Sequence, residues 1–171
     1  MKSILRLMLS PSGRIGRKGF WLGFAGLTAF CLVLNVLLGQ VTEQGALEFW
    51  LGLGGFFLFF QIFYAVYGKR LHDMGRTFWP ITACFFGTIL ILIAGMLIFG
   101  GAEYFSEFSQ YDRKDIIDPS RRDAITEAFK PKLSRSEAVL GPILSGLWLG
   151  FTLWVGVSKS EPKENNYGPS S

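Results

Sequence analysis

The stretch PITACFFGTILILIAGMLIF, residues 80–99, contains no Asp, Glu, Lys, Arg or His. Three more stretches share that property, and they occupy residues 20–38, 49–67 and 138–157. Each stretch holds 19 or 20 residues. A helix of that length, rising ~1.5 Å per residue, matches the ~30 Å hydrocarbon core of a bilayer. These lengths predict four membrane-spanning helices.

Two other architectures compete with this prediction. The strands of a membrane barrel alternate polar and apolar residues, and the four stretches show no such alternation. Four buried helices of a soluble protein would each need a polar face, which these stretches lack. The expected fold class is therefore an all-α membrane protein with four transmembrane helices and a polar outer connection between helices three and four.

The charged residues fall between the apolar stretches and divide the chain into segments. We expect a basic N-terminal segment at 1–19, a four-helix transmembrane domain at 20–157 with its outer loop at 100–137, and a polar tail at 158–171. Lys and Arg precede the first span, follow the second and recur in the tail, whereas the connection between spans one and two carries Glu43 and Glu48 and no basic residue. This bias predicts that both termini are cytoplasmic, although the outer loop carries seven basic residues that argue against it.

The segments outside the spans contain local signals of their own. Residues 3–9 carry five apolar side chains interleaved with Arg6 and preceded by Lys2, so a short helix in the headgroup layer and a flexible terminus both fit. In the outer loop we expect Asp118-Pro119-Ser120 to start a helix that continues through Phe129 and that Pro131 ends, within either a small cap or a mobile loop. Residues 134–137, Ser-Arg-Ser-Glu, then resemble a capping box for span four. The tail is expected to be mostly disordered.

Three short motifs occur in a characteristic order: GRIGRKGFW at 13–21, KRLHDMGR at 69–76 and NNYGP at 165–169. Together they resemble the "domain of unknown function 805" family of small bacterial inner-membrane proteins, and KRLHDMGR is the most specific of them. The chain departs from the family in having TFWP at 77–80, where Ser-Gly-Trp-Trp is frequent, and in a longer outer loop. The resemblance implies a bacterial inner (plasma) membrane but no established activity and no catalytic residue.

All three motifs fall on one side of the membrane in the expected topology. If helix two continues to Met74, Gly75 is a natural residue to end it, and Arg70 and Asp73 lie on one helical face. Guanidinium groups suit phosphate because their donors form a planar fork. The candidate residues for binding an anion or a partner are Arg14, Arg17, Lys69, Arg70, His72, Asp73, Arg76 and Tyr167. The alternative is a solvated turn in which Asp73 holds Arg70 or Arg76 and the basic residues only anchor the topology.

Other chemistry finds little support in the sequence. His72 is the only histidine, Cys31 and Cys84 are isolated, and no metal spacing or phosphate-binding glycine loop is present. We therefore expect no enzyme activity, no cofactor and no metal. The expected partners are membrane lipids, with anionic headgroups favoured over nucleic acid, and a membrane protein or further copies of the chain.

The favoured function is that of a non-enzymatic binding or scaffold protein with a basic cytoplasmic face. The alternative is a transporter or channel component that acts as an oligomer. Gly19–Gly23 and Gly146–Gly150 have the GxxxG spacing of close helix contacts, within one chain or between copies. The spans carry no charge, which argues against a proton-coupled carrier.

Overall fold

The structure is a computed structural model that describes residues 4–40, 45–109 and 118–168. These residues form six α-helices: α1 (Ile4–Leu9), α2 (Arg17–Gln40), α3 (Ala46–Asp73), α4 (Trp79–Ile98), α5 (Gly101–Ser109) and α6 (Pro119–Val157). Helices α2, α3 and α4 and the Asp123–Val157 part of α6 are long and apolar enough to cross a membrane. The expected fold class is thus confirmed, and the chain is a multi-pass membrane protein.

The length of α3 explains how this helix positions a polar site. Its 28 residues extend over ~42 Å at ~1.5 Å per residue, more than the ~30 Å hydrocarbon core. The apolar part ends near Tyr67, and the next turns carry Lys69, Arg70, His72 and Asp73. The end of α3 therefore projects polar side chains beyond the apolar span.

The chain divides into two compact units, of which the first comprises residues 1–81 and 152–171. Helix α1 packs on α2 and α3, and α2 packs along α3. The end of α6 belongs to the same unit, where Val155 is fully buried. Phe20 stacks edge-on to Tyr67 with 5.1 Å between ring centroids, and the Tyr67 hydroxyl shares a 2.8 Å hydrogen bond with Thr152. These contacts give the unit a core beneath its polar end.

Close packing between α2 and α3 depends on Gly23. A Cβ at this position would lie 2.8 Å and 2.9 Å from the two methyl carbons of Val66, whereas a Cβ at Gly54 would meet open space. We expect Gly23→Ala to lower the free energy of unfolding by about 1–3 kcal/mol, as overpacking does. Gly54→Ala should not destabilise the protein, because alanine favours a helix. Unfolding midpoints in mixed detergent micelles compare the two variants, and equal midpoints would contradict the expectation.

The second unit comprises residues 82–151. Trp148 of α6 contacts Phe85 of α4 with 5.0 Å between ring centroids and donates its indole N–H to Thr88 at 3.1 Å. Tyr104 of α5 packs against Phe129 of α6 at 5.5 Å. The described parts of the expected outer loop are therefore helical, with α5 packed against the first turns of α6, whereas residues 110–117 of that loop lie outside the described residues.

The prediction that one helix ends at Pro131 and that a new helix starts after a capping box at 134–137 was wrong. Helix α6 runs without a break from Pro119 to Val157 and contains Pro131 and Pro142. The expected capping box lies in mid-helix, where Ser136 donates to the carbonyl of Leu133 at 2.8 Å. A proline removes one helical hydrogen bond, but contacts on both sides of Pro131 hold the helix, including the Lys132–Glu103 pair at 2.5 Å. Tertiary packing therefore overrides the local stop signal.

Candidate functional site

Helix α3 ends in a glycine motif that fixes the direction of the next residues. Met74 is the capping residue, and Gly75 follows with φ of +70°. The N–H of Gly75 donates to His72 at 3.1 Å, and the N–H of Arg76 donates to Leu71 at 2.8 Å. This pair of bonds is the Schellman arrangement. The helix ends at Asp73, one residue before the end considered in the sequence, and the expectation that Gly75 terminates it is confirmed.

Asp73, the last residue of α3, lies at the centre of a buried ion cluster. Its side chain is fully buried, as is that of Arg70, and Arg14 is 5% exposed. One carboxylate oxygen accepts a 3.3 Å bond from Nε of Arg14. The other accepts bonds from Arg70 and from the hydroxyl of Ser160. We call Arg14, Arg70 and Asp73 the buried ion cluster; one carboxylate there faces two guanidinium groups.

The two arginines of the cluster bind mostly backbone carbonyls. Besides Asp73, the side chain of Arg14 donates to the carbonyls of Glu161 at 2.5 Å, Lys163 at 2.8 Å and Gly168 at 3.3 Å. It also donates to the carbonyl of Asp73. All five N–H donors of a guanidinium are therefore used by this one side chain.

Arg70 makes the corresponding contacts at the end of α6. Its Nε donates to the carbonyl of Val155 at 3.0 Å, and another nitrogen donates to the carbonyl of Ser158. Helix C-termini leave carbonyls without an intrahelical partner, and a cation there also meets the negative end of the helix dipole. Arg70 thus ties the ends of α3 and α6 together.

The tail is ordered by this cluster, so the expectation of a mostly disordered tail was wrong for residues 158–168. The N–H of Glu161 donates to the carbonyl of Asp73 at 2.8 Å. The side-chain amide of Asn165 donates to the backbone carbonyl of His72 at 3.0 Å and to the Glu161 carboxylate at 2.7 Å. The tail is ordered because the buried arginines need many hydrogen-bond acceptors, and the backbone carbonyls of the tail provide them.

Two aromatic rings close over the same end of α3. Tyr167 stacks on His72 with 3.8 Å between ring centroids and 1° between the planes, and Phe78 meets His72 edge-on at 4.8 Å. His72 is 7% exposed, and its Nδ1 has no hydrogen-bond partner in the described structure. The contacts make this imidazole a packing surface for the tail.

Lys69 lies on a different side of α3 and holds α1. Its ammonium group is buried and donates to the carbonyls of Arg6 at 3.0 Å and Leu7 at 2.5 Å. Gln61, two turns earlier, donates to the carbonyl of Leu9 at 2.7 Å. The last carbonyls of α1 are therefore bound by α3, and α1 is fixed against it.

Four of the exposed cations near the buried ion cluster are Arg17, Lys18, Arg76 and Lys159. Arg17 donates to the carbonyl of Ser158 at 3.1 Å, next to Lys159. Arg76 lies over the ring of Trp154 with 5.2 Å to its centroid. Because both arginines contact the end of α6, these side chains lie at one end of the first unit, and we call them the cationic rim.

The eight candidate residues thus separate into groups that the sequence did not distinguish. Arg14, Arg70 and Asp73 meet in the buried ion cluster, and Tyr167 packs on His72 beside it. Lys69 binds α1, while Arg17 and Arg76 belong to the exposed rim. The sequence interpretation missed two partners: Ser160, which binds Asp73, and Glu161, which binds Asn165. Neither residue lies in a recognisable motif, so no sequence signal marked them.

Within residues 4–40, 45–109 and 118–168, no group of three or more His, Cys, Asp or Glu side chains could hold a metal ion. Comparisons with known proteins give one match. The sequence model of a family described as "Protein of unknown function (DUF805)" matches residues 8–169. No curated protein and no solved structure matches the chain.

Proposed function

The chain belongs to the DUF805 family, and we propose that it is a non-enzymatic membrane protein whose cationic rim binds anionic phospholipid headgroups. The proposal places this end of the protein at the cytoplasmic face of a bacterial inner membrane, with both termini on that side. The anionic lipids of a cytoplasmic leaflet attract basic residues next to a membrane span by ~1 kcal/mol per Lys or Arg. The chemistry required of the site is therefore attraction and positioning, without a reaction.

The observation that supports this proposal is that the cations at this end form two groups, one buried and hydrogen-bonded and one exposed. Arg14 and Arg70 are committed to Asp73 and to backbone carbonyls, whereas the rim side chains stay exposed. A residue buried among carbonyls has few donors left for a ligand, but an exposed lysine or arginine keeps them. The cluster then serves as the support, and the rim as the binding surface.

Charge and aromatic residues at this end favour lipid as the ligand. Residues 4–18, 69–76 and 158–168 contain nine Lys or Arg and three Asp or Glu. Trp154 is 37% exposed beside Arg76, and Trp21 is 38% exposed where its ring packs on Gly156. Exposed tryptophan is typical of the membrane–water interface. A rim at this level would meet headgroup phosphates directly.

A triple variant tests the proposal. We expect Arg17→Gln, Arg76→Gln and Lys159→Gln together to weaken binding of phosphatidylglycerol by roughly a hundredfold, since each cation contributes ~1 kcal/mol. Binding is measured by native mass spectrometry of the protein titrated with phosphatidylglycerol or phosphatidylcholine. The preference for the anionic lipid should also fall as salt rises, because salt screens exposed charges.

The matched control removes the same charge from the second unit. Arg121→Gln, Lys130→Gln and Arg135→Gln change three exposed cations and should leave the preference for phosphatidylglycerol within about twofold of the unchanged protein, since they lie outside the rim. Equal loss in both triple variants would refute a rim-specific site and reduce the effect to net charge. A flux of ions through proteoliposomes would favour the conduit alternative.

A further inference from the structure

A second feature of the basic end is a cavity of about 120 Å³ between the end of α1, the loop before α2 and α3. Its walls include Arg6, Ser12, Gly13, Arg14 and Lys69. The volume equals about four water molecules at ~30 Å³ each, which is enough for one phosphate group. None of the described residues that line it is acidic.

The loop that lines this cavity contains backbone donors without a protein acceptor in the described part of the chain. The N–H groups of Ser12, Gly13 and Arg14 donate to no acceptor among the described residues, although Ile15 next to them donates to Lys69 at 3.4 Å. Gly13 has φ of +95°, a conformation that favours glycine. Successive N–H groups in a turn of this kind form a concave anion-binding surface. Backbone donors without a protein acceptor need water or a ligand.

The charges around the cavity have the matching sign. Arg14 and Lys69 are 5% and 4% exposed, so both cations are more than nine-tenths buried at its wall. The carboxylate that faces Arg14 is that of Asp73, which does not line the cavity. The cavity therefore combines a positive field from three basic side chains with hydrogen-bond donors from the backbone, a combination suited to phosphate oxygens.

We propose that this cavity, which we call the loop cavity, binds a single phosphate group through the N–H groups of residues 12–14, with Arg6 and Lys69 supplying charge. The phosphate belongs either to a phospholipid headgroup or to a soluble phosphate compound. The lipid source deepens the proposed function and rests on it, whereas the soluble source does not.

The test places a negative charge in the cavity without removing a contact from the core. Ser12 is exposed and contacts only Ser10 through its hydroxyl. Ser12→Asp should reduce phosphate binding at least tenfold, while the neutral Ser12→Asn should stay within about twofold. Arg6→Gln is a second variant at the mouth of the cavity, and it should weaken binding at least threefold. Thermal unfolding confirms that each variant is folded.

Two measurements distinguish the sources of the phosphate. One is equilibrium binding of radiolabelled orthophosphate to the protein in phosphatidylcholine nanodiscs. The other is retention of phosphatidic acid and phosphatidylglycerol in native mass spectrometry. Loss of lipid retention alone in Ser12→Asp identifies a headgroup site, and loss of orthophosphate binding identifies a soluble ligand. The rim triple variant should keep orthophosphate binding, so the two proposals fail separately. The loop cavity is overturned if Ser12→Asp binds both ligands as the unchanged protein does, or if neither ligand binds.

Discussion

Replacing Asp73 by asparagine is expected to lower the free energy of unfolding by about 3–5 kcal/mol, the usual cost of removing one partner from a buried ion pair. The carboxylate of Asp73 is the acceptor for Arg14, Arg70 and Ser160. Without its charge, two guanidinium groups that are buried at 5% and 0% exposure face each other uncompensated. The measurement is the unfolding midpoint in mixed dodecyl sulfate and maltoside micelles, followed by tryptophan fluorescence.

The control for this experiment removes a carboxylate from an exposed ion pair. Glu127 binds Lys130 at 2.8 Å, and both side chains are about two-thirds exposed. Glu127→Gln should leave the midpoint unchanged, because exposed pairs contribute little to stability. If Asp73→Asn is as stable as Glu127→Gln, the arginines of the buried ion cluster are not held by the carboxylate, and the cluster is hydrated in the folded protein.

The membrane fold could be predicted because its cause is local. The length of a stretch such as residues 80–99 and its lack of charge can be read from that stretch alone. In a bilayer, only a structure that forms all its backbone hydrogen bonds internally is stable. The end of α3 was equally predictable, since a glycine that follows a helical pattern commonly ends the helix, and Gly75 stands at that position. The pairing of Asp73 with Arg70 was one of the open alternatives, because residues three apart share a helical face.

The parts that could not be predicted depend on distant partners. Arg14 lies 147 residues before Glu161, and the bond between them uses a backbone carbonyl that every residue possesses. No side-chain pattern can indicate such a partner. The same limit applies to Pro131, which ends a helix in isolation but lies within α6 because α5 packs beside it. The burial of the turn after α3 also depends on distant residues: the sequence allowed a solvated turn, but residues 158–168 of the tail enclose it.

The three sequence motifs form one assembly, because the tail encloses the end of α3. The loop before α2, the end of α3 and residues 165–168 contribute to one assembly, with Arg14 bonded to Asp73 and Gly168. In that assembly the buried arginines bind Asp73 and backbone carbonyls, which leaves the exposed cations to act at the membrane surface. The buried ion cluster and the cationic rim are therefore separate sets of residues. We expect mutations in the cluster to lower stability and mutations in the rim to weaken lipid binding.

Arg14→Lys tests that separation most directly, because it keeps the positive charge and removes the planar guanidinium with its five donors. Lysine has three donors on one nitrogen, whereas Arg14 reaches the carbonyls of Glu161, Lys163 and Gly168 as well as Asp73. Several buried acceptors would lose their partner, each at ~1–3 kcal/mol. We expect a loss of about 2–4 kcal/mol in the free energy of unfolding and release of the tail.

Release of the tail is measured by limited trypsin digestion of protein that carries a C-terminal tag. Cleavage after Lys159 and Lys163 should be at least tenfold faster in Arg14→Lys, since a released segment opens to the protease far more often than a bonded one. The control is Arg17→Lys, which alters an exposed arginine whose contact with this segment is the carbonyl of Ser158. Digestion of that variant should match the unchanged protein. Equal protection in Arg14→Lys would show instead that Asn165 and Tyr167 hold the tail through His72, and the guanidinium would then be a replaceable part of the cluster.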